Sequence, residues 1–261
     1  MAVEKSLRGK RHLAVILFLL GIPAALAQAE PPPSPSGQTS GLERKLQTLL
    51  ADHAHTSSDP RALAQVADLY LDLGDEAYPE ESKRRAAYEE GARLARRAID
   101  LEESNAHAHY LYAANLGSAA QLKGVMASTL TIRELKAHVR RALELKNDHA
   151  PALHMMGMML EELPWFLGGD VDAALAYLQR AVAADPQYTH ARLDLAKAYI
   201  KRRDTDSARR ELITILSKEL PPDQSVSEQR HRQEATQFLT SLEPQHGTAK
   251  GPRQGATGSS R

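Results

Sequence analysis

Three histidines, His107, His109 and His190, are the residues of this chain that first invite a chemical reading, because imidazole is a common metal ligand and titrates near neutral pH. His107 and His109 stand two apart, so on a helix they leave from different faces, unlike a pair at i and i+4. No H-E-x-x-H motif joins the three, and no carboxylate at helical spacing is read as completing a ligand set. No metal site is expected. The adjacent acids Glu80-Glu81, Glu89-Glu90 and Glu102-Glu103 are equally poor acid-base couples, since neighbours in sequence point apart on a helix. G-x-S-x-G, G-x-x-x-x-G-K and cysteine are all missing from the sequence, which removes the common nucleophile and phosphate-cradling patterns. The expectation is a chain that is not an enzyme and carries no cofactor.

A second chemical candidate is the stretch from Leu163 to Asp170, which holds the only tryptophan, Trp165, beside Phe166 and ahead of Gly168-Gly169. Glycines admit backbone angles closed to other residues, and Asp170 is placed to cap a following helix. Exposed, Trp165 and Phe166 would anchor a partner or touch a membrane interface. Insertion into the fold as a local plug is the favoured expectation, because aromatic side chains usually bury.

The elements that position these residues are written in a repeat. A-I-D-L-x-x-x-N-A-H-A starts at Ala98, A-L-E-L-x-N-D-H-A-P-A at Ala142 and A-V-A-A-D-P-x-Y-T-H-A at Ala181, with a weaker first half at Ile215. The starts lie 44, 39 and 34 residues apart. Periods of this size mark stacked helix pairs, because one pair cannot bury its own apolar face. Composition agrees: aromatics are 5% of the chain while alanine is abundant, which favours close-packed helices over a sheet of β-branched and aromatic residues. An all-α fold follows.

Helix boundaries come from caps and breakers. Asp59-Pro60 is a strong helix start, with partner helices over about 60–73 and 82–101, and the G-D-E-A-Y-P-E stretch as the loop between them. Later pairs fall at 106–120 with 132–145, 151–163 with 171–184, and 189–202 with 205–216. The second and third carry insertions, K-G-V-M-A-S-T-L-T and L-P-W-F-L-G-G, between their helices. A first helix carrying Leu42, Leu46, Leu49 and Leu50 and a last one over about 225–242 would cap the stack, giving a repeat domain over 42–242. Residues 243–261 read as a disordered tail and 28–41, rich in Pro, Ser and Gly, as a linker.

Lys5, Arg8, Lys10 and Arg11 precede an apolar run from Leu13 to Ala27 that ends in small residues, so residues 1–27 read as a cleavable signal peptide. A periplasmic or secreted protein is expected, with an uncleaved N-terminal membrane anchor as the alternative and the one route to membrane contact. Formal net charge is zero and no long basic run follows the first residues, so nucleic acid is not an expected partner.

The repeats resemble the tetratricopeptide repeat. Ala196, Tyr199, Ala208 and Leu212 fall at its small, aromatic and apolar positions, and Pro186 closes the third copy. Glu103 and Asn147 depart from it by standing where the closing proline belongs. Beyond the bare repeat, H-A-H-Y-L-Y-A-A-N-L-G from His107, L-K-G-V-M and E-L-P-W-F-L-G-G-D from Glu162 are similar to the regulator of microtubule dynamics family and its exported bacterial relatives, and to the periplasmic repeat component associated with TRAP-type transporters. The resemblance implies a right-handed superhelix of antiparallel helix pairs whose first helices line a concave groove. That groove would take Arg61, Ala64, Gln65, Asp68 and Leu71, then His107, Tyr110, Leu111 and Ala114, then His154, Met155, Met158 and Glu161, then His190, Leu193, Asp194 and Lys197. It implies a non-catalytic scaffold or adaptor for a protein or peptide, or alternatively an accessory protein for a small apolar ligand, which would need a continuous apolar cavity. Coverage of the groove by the last helix, whose Phe238, Leu239 and Leu242 need burial, is an equal expectation.

Overall fold

The computed structural model describes residues 36–124, 129–218 and 226–242, with backbone alone for 36–40. The expected signal peptide, most of the linker and the tail lie outside the described residues. Ten α-helices succeed one another there: α1 (Ser36–Ala51), α2 (Pro60–Asp72), α3 (Glu81–Leu101), α4 (Ala106–Leu122), α5 (Thr129–Leu145), α6 (Ala150–Glu162), α7 (Val171–Ala184), α8 (Thr189–Lys201), α9 (Thr205–Ser217) and α10 (Val226–Ser241). No strand occurs among the described residues.

The starts are chemically determined. Side chains of Asp59, Asn105, His149, Asp170 and Asp204 accept backbone N–H groups at the first turns of α2, α4, α6, α7 and α9, satisfying donors that have no partner within the helix. Two starts differ from the expected ones. α1 begins at Ser36, six residues inside the expected linker, directly after the last proline of the run, where the constraint on helix formation ends. α5 begins at Thr129, so Thr129, Leu130 and Thr131 of the expected insertion are helical.

Each first helix packs on its own partner (α2 on α3, α4 on α5, α6 on α7, α8 on α9), and the first helices of successive repeats touch one another. Small residues set this spacing. A side chain at Gly91 would meet the amide of Asn115, which is buried in α4 and donates to the Ala67 and Leu111 carbonyls at 3.3 and 3.0 Å. A side chain at Gly74 would collide with the ring of Tyr88, whose hydroxyl donates to Asp75 at 2.6 Å.

α10 closes the stack. Phe238, Leu239 and Leu242 pack against Leu193, Ala196, Leu212 and Ile215 of the last repeat, burial that an isolated terminal repeat would lack. Its first turn reaches the opposite end of the molecule, where Ser227 Oγ donates to Glu76 Oε1 at 2.6 Å in the π turn (Leu73–Ala77) that follows α2. No helix among the described residues is long and apolar enough to cross a membrane.

Candidate functional site

The first helices α2, α4, α6 and α8 lie against one another in succession, and the side chains that the tetratricopeptide resemblance assigns to a groove sit on them among polar and aromatic neighbours. In the middle, His107 Nδ1 lies 3.1 Å from His149 Nε2, and the Tyr110 ring stacks on His107 at 5.9 Å and tilts against His149 at 5.3 Å. His149 Nδ1 accepts the Ala152 N–H at 3.2 Å as the α6 cap. In its neutral form His149 therefore carries its proton on Nε2 and donates it to His107. Burial, then the neighbouring His107, lowers the His149 pKa to about 4, and burial lowers that of His107 as well.

At the α8 end, Asp194 gathers a cluster. Its Oδ2 lies 2.8 Å from His154 Nε2 and 3.4 Å from His190 Nε2, while Lys197 Nζ donates to its Oδ1 at 3.1 Å. Tyr188 Oη is 3.2 Å from His154 Nδ1. α10 covers this cluster from outside: Glu234 pairs with Lys197 at 2.8 Å, the His231 ring stacks on His190 at 4.5 Å, and Thr189 Oγ1 donates to Glu228 at 2.8 Å. Burial disfavours the Asp194 carboxylate, yet the hydrogen bond from His154 and the charges around it outweigh this and hold its pKa well below the usual range. Burial, followed by the proximity of His154, pushes His190 down to about 3.

At the α2 end the field is acidic. Asp72 is raised to about 7, first by burial and then by repulsion from Asp68, Glu76 and Asp75. Tyr110 feels the same acids: burial, then Tyr188, Asp68, Asp75 and Asp72 raise its pKa far above the ordinary value. Acidic groups at α2, aromatic and imidazole rings at α4 and the start of α6, and the buried Asp194 cluster at α8 thus succeed one another along the first helices.

The residues expected in the groove divide by accessibility. Arg61 and Gln65 are exposed; Asp68, His107, Tyr110, Ala114, Met155, Met158, Glu161 and Lys197 are half-buried. Ala64, Leu71, Leu111, His154, Leu193 and Asp194 are buried and cannot line an open groove. For Leu193 the reason is α10, whose apolar face lies on it. The three histidines of the sequence reading are dispersed. His107 meets His149, whereas His109 is buried with His138 at 2.9 Å and the Glu103 carbonyl at 2.9 Å. His190 meets His154 and Asp194. Asp194 stands four residues after His190 on the same face, a carboxylate at helical spacing that the sequence reading passed over.

Trp165 and Phe166 do not plug the stack. They form an edge-on pair in a short 3-10 turn and are 85% and 63% exposed. In the same turn Gly169 sits too close to the Leu163 carbonyl to admit any side chain, and Gly168 adopts a left-handed φ of 82°. A depression of about 410 Å³ between α5, α6 and α7 is lined by Leu143, Met156, Leu160 and Tyr177 and rimmed by Lys136, Arg140, Glu144 and Arg180.

A family profile described as "Regulator of microtubule dynamics protein 1-3" matches residues 36–162, and one described as "Tetratricopeptide repeat" matches residues 166–223. Regulator of microtubule dynamics protein 1 of Bos taurus is 29% identical over 178 residues, which cover 62% of this chain and 56% of that protein. The Pongo abelii protein of the same name is 27% identical over 219 residues, covering 78% of this chain and 68% of the relative. The match therefore spans little more than half of the bovine protein. Among solved structures, a thermophilic TPR protein of Thermus thermophilus superposes with a TM-score of 0.55 over 75% of this chain and 91% of that one, at 15% identity. That likeness is one of fold.

Proposed function

This chain is a tetratricopeptide-repeat protein of the regulator of microtubule dynamics family, and we propose that it is an exported, non-catalytic scaffold that holds a protein or peptide partner in its concave groove. The observation that carries the reading is the run of half-buried Asp68, Tyr110, Met155 and Met158, supplied by three successive first helices and bordered by exposed Arg61 and Gln65. Methionine repacks around varied apolar shapes, and tyrosine offers a broad face at low entropic cost.

Charge narrows the partner. Asp68, Glu76 and Asp75 raise the cost of ionising Asp72 at the mouth, so a cation placed among them relieves repulsion and is favoured there. The fitting partner is an apolar segment carrying a lysine or arginine, its cation at the α2 end. Export rests on the basic and apolar pattern of residues 1–27.

The test is capture of the partner from the chain's own envelope fraction by wild type and by the Tyr110→Ala/Met158→Ala double variant. Weakened capture with unchanged helix content is expected. Equal capture by both proteins would remove the groove as the docking surface.

A further inference from the structure

Scaffolding by the groove gives no use to the cluster beneath α10. We propose that His154, His190 and Asp194 form a binding site for a divalent transition-metal ion of the zinc or cobalt class, with two imidazole nitrogens and one carboxylate oxygen as ligands.

Geometry is the first support. One ligand atom from each of the three residues lies within 4.8 Å of the others, and the two histidine nitrogens approach the same Asp194 oxygen at 2.8 and 3.4 Å. An ion about 2.1 Å from each of three tetrahedral ligands spaces them by roughly 3.4 Å, so the side chains need only small displacements. The outer shell is the second support. His154 Nδ1 faces Tyr188 Oη, which fixes the ring and leaves Nε2 for the ion. Lys197 holds Asp194 by Oδ1, leaving Oδ2 toward the histidines, and Glu234 balances the Lys197 charge. His190, 46% exposed along its side chain, is the open side of an otherwise buried site.

Binding has a definite proton balance. Without the ion, the Nε2–H tautomer of His154 donates to Asp194 and accepts from the Tyr188 hydroxyl at Nδ1. With it, Nε2 gives its electron pair to the metal, the proton moves to Nδ1 and is donated to Tyr188 Oη, and the Asp194 carboxylate exchanges a hydrogen bond for the cation. From that tautomer no net proton is released, because the proton leaving Nε2 is kept on Nδ1. Since His154 lies on α6 and His190 and Asp194 on α8, the ion would also clamp the third repeat to the fourth.

The experiment is titration of cobalt(II) into the chelator-treated full chain, read by ligand-field absorption, with zinc(II) competition and thermal unfolding alongside. A tetrahedral cobalt spectrum at one ion per chain, displaced by zinc, is expected. His190→Gln keeps the buried His154–Asp194 contact, so it should retain helix content while affinity falls at least about tenfold, and Tyr188→Phe should weaken binding to a lesser degree. Absence of the spectrum in wild type overturns the site. So does a spectrum unchanged in His190→Gln, which would place the ion on other histidines.

Discussion

Ser227 and Glu76, 151 residues apart in sequence, share a hydrogen bond of 2.6 Å that ties the first turn of α10 to the first repeat. An open solenoid has no such contact between its ends, since each repeat touches only its neighbours. Here the last helix packs as a cap on α8 and α9 and also reaches the turn after α2.

Because the Ser227–Glu76 bond is charge-assisted and lies at the end of a helix, its loss should loosen α10 locally and leave the repeats intact. Ser227→Ala is expected to raise amide exchange over residues 226–230 by roughly fivefold, corresponding to about 1 kcal/mol. Exchange indistinguishable from wild type would mean that packing on α9 alone fixes this end.

Asp72 predicts a stability loss toward alkaline pH. Its folded pKa of about 7 lies above its ordinary value of 3.8, so the folded state holds more protons between these limits and stability falls as pH rises through that window. Asp72→Asn should therefore stabilise the chain at pH 8 by on the order of 1–2 kcal/mol relative to pH 4 in denaturant titrations. The same change should weaken binding of a cationic partner. A variant with the wild-type pH profile would contradict the assigned environment.

His149 predicts the opposite slope on the acid side. With a folded pKa of about 4 against an ordinary 6.5, it gives stability that is present above pH 6.5 and lost as pH falls toward 4, when the unfolded chain takes up the proton first. His149→Asn keeps a capping acceptor for α6 and removes the titration. Its stability should flatten over that interval, whereas His149→Ala should lose about 1 kcal/mol at neutral pH as well.

Trp165 gives a direct optical check, being the sole tryptophan. At 85% exposure its emission should be that of an aqueous indole and be readily quenched by acrylamide. Trp165→Ala and Phe166→Ala should each change stability by less than about 0.5 kcal/mol. A blue-shifted, protected emission would restore the buried plug.

The repeat boundaries were legible because they are local. Asp59-Pro60, Asn105, Asp170 and Asp204 announce helix starts within three residues of the groups they cap. The groove floor was not, because its contacts join one repeat to the next: His107 to His149 across 42 residues and His154 to Asp194 across 40. Both separations are close to one repeat, so the signal was present as a periodic recurrence of polar residues on first helices rather than as a motif. His149 and Tyr188 escaped notice for a different reason. They sit at the N-caps of α6 and α8, just before the helical positions that the family pattern marks as groove. Exposure of the Trp165 turn is not legible in the sequence, because the general tendency of aromatic side chains to bury points the other way.

The most direct measurement places a photo-crosslinking side chain at Met155 in the groove and, separately, at Ile213, which is exposed on α9, in the full chain within its own cells. One crosslinked polypeptide formed from position 155 and not from 213, and diminished by Asp68→Asn/Asp72→Asn, is the predicted result. Equal crosslinking from both positions, or none from 155, would contradict partner binding in the concave groove.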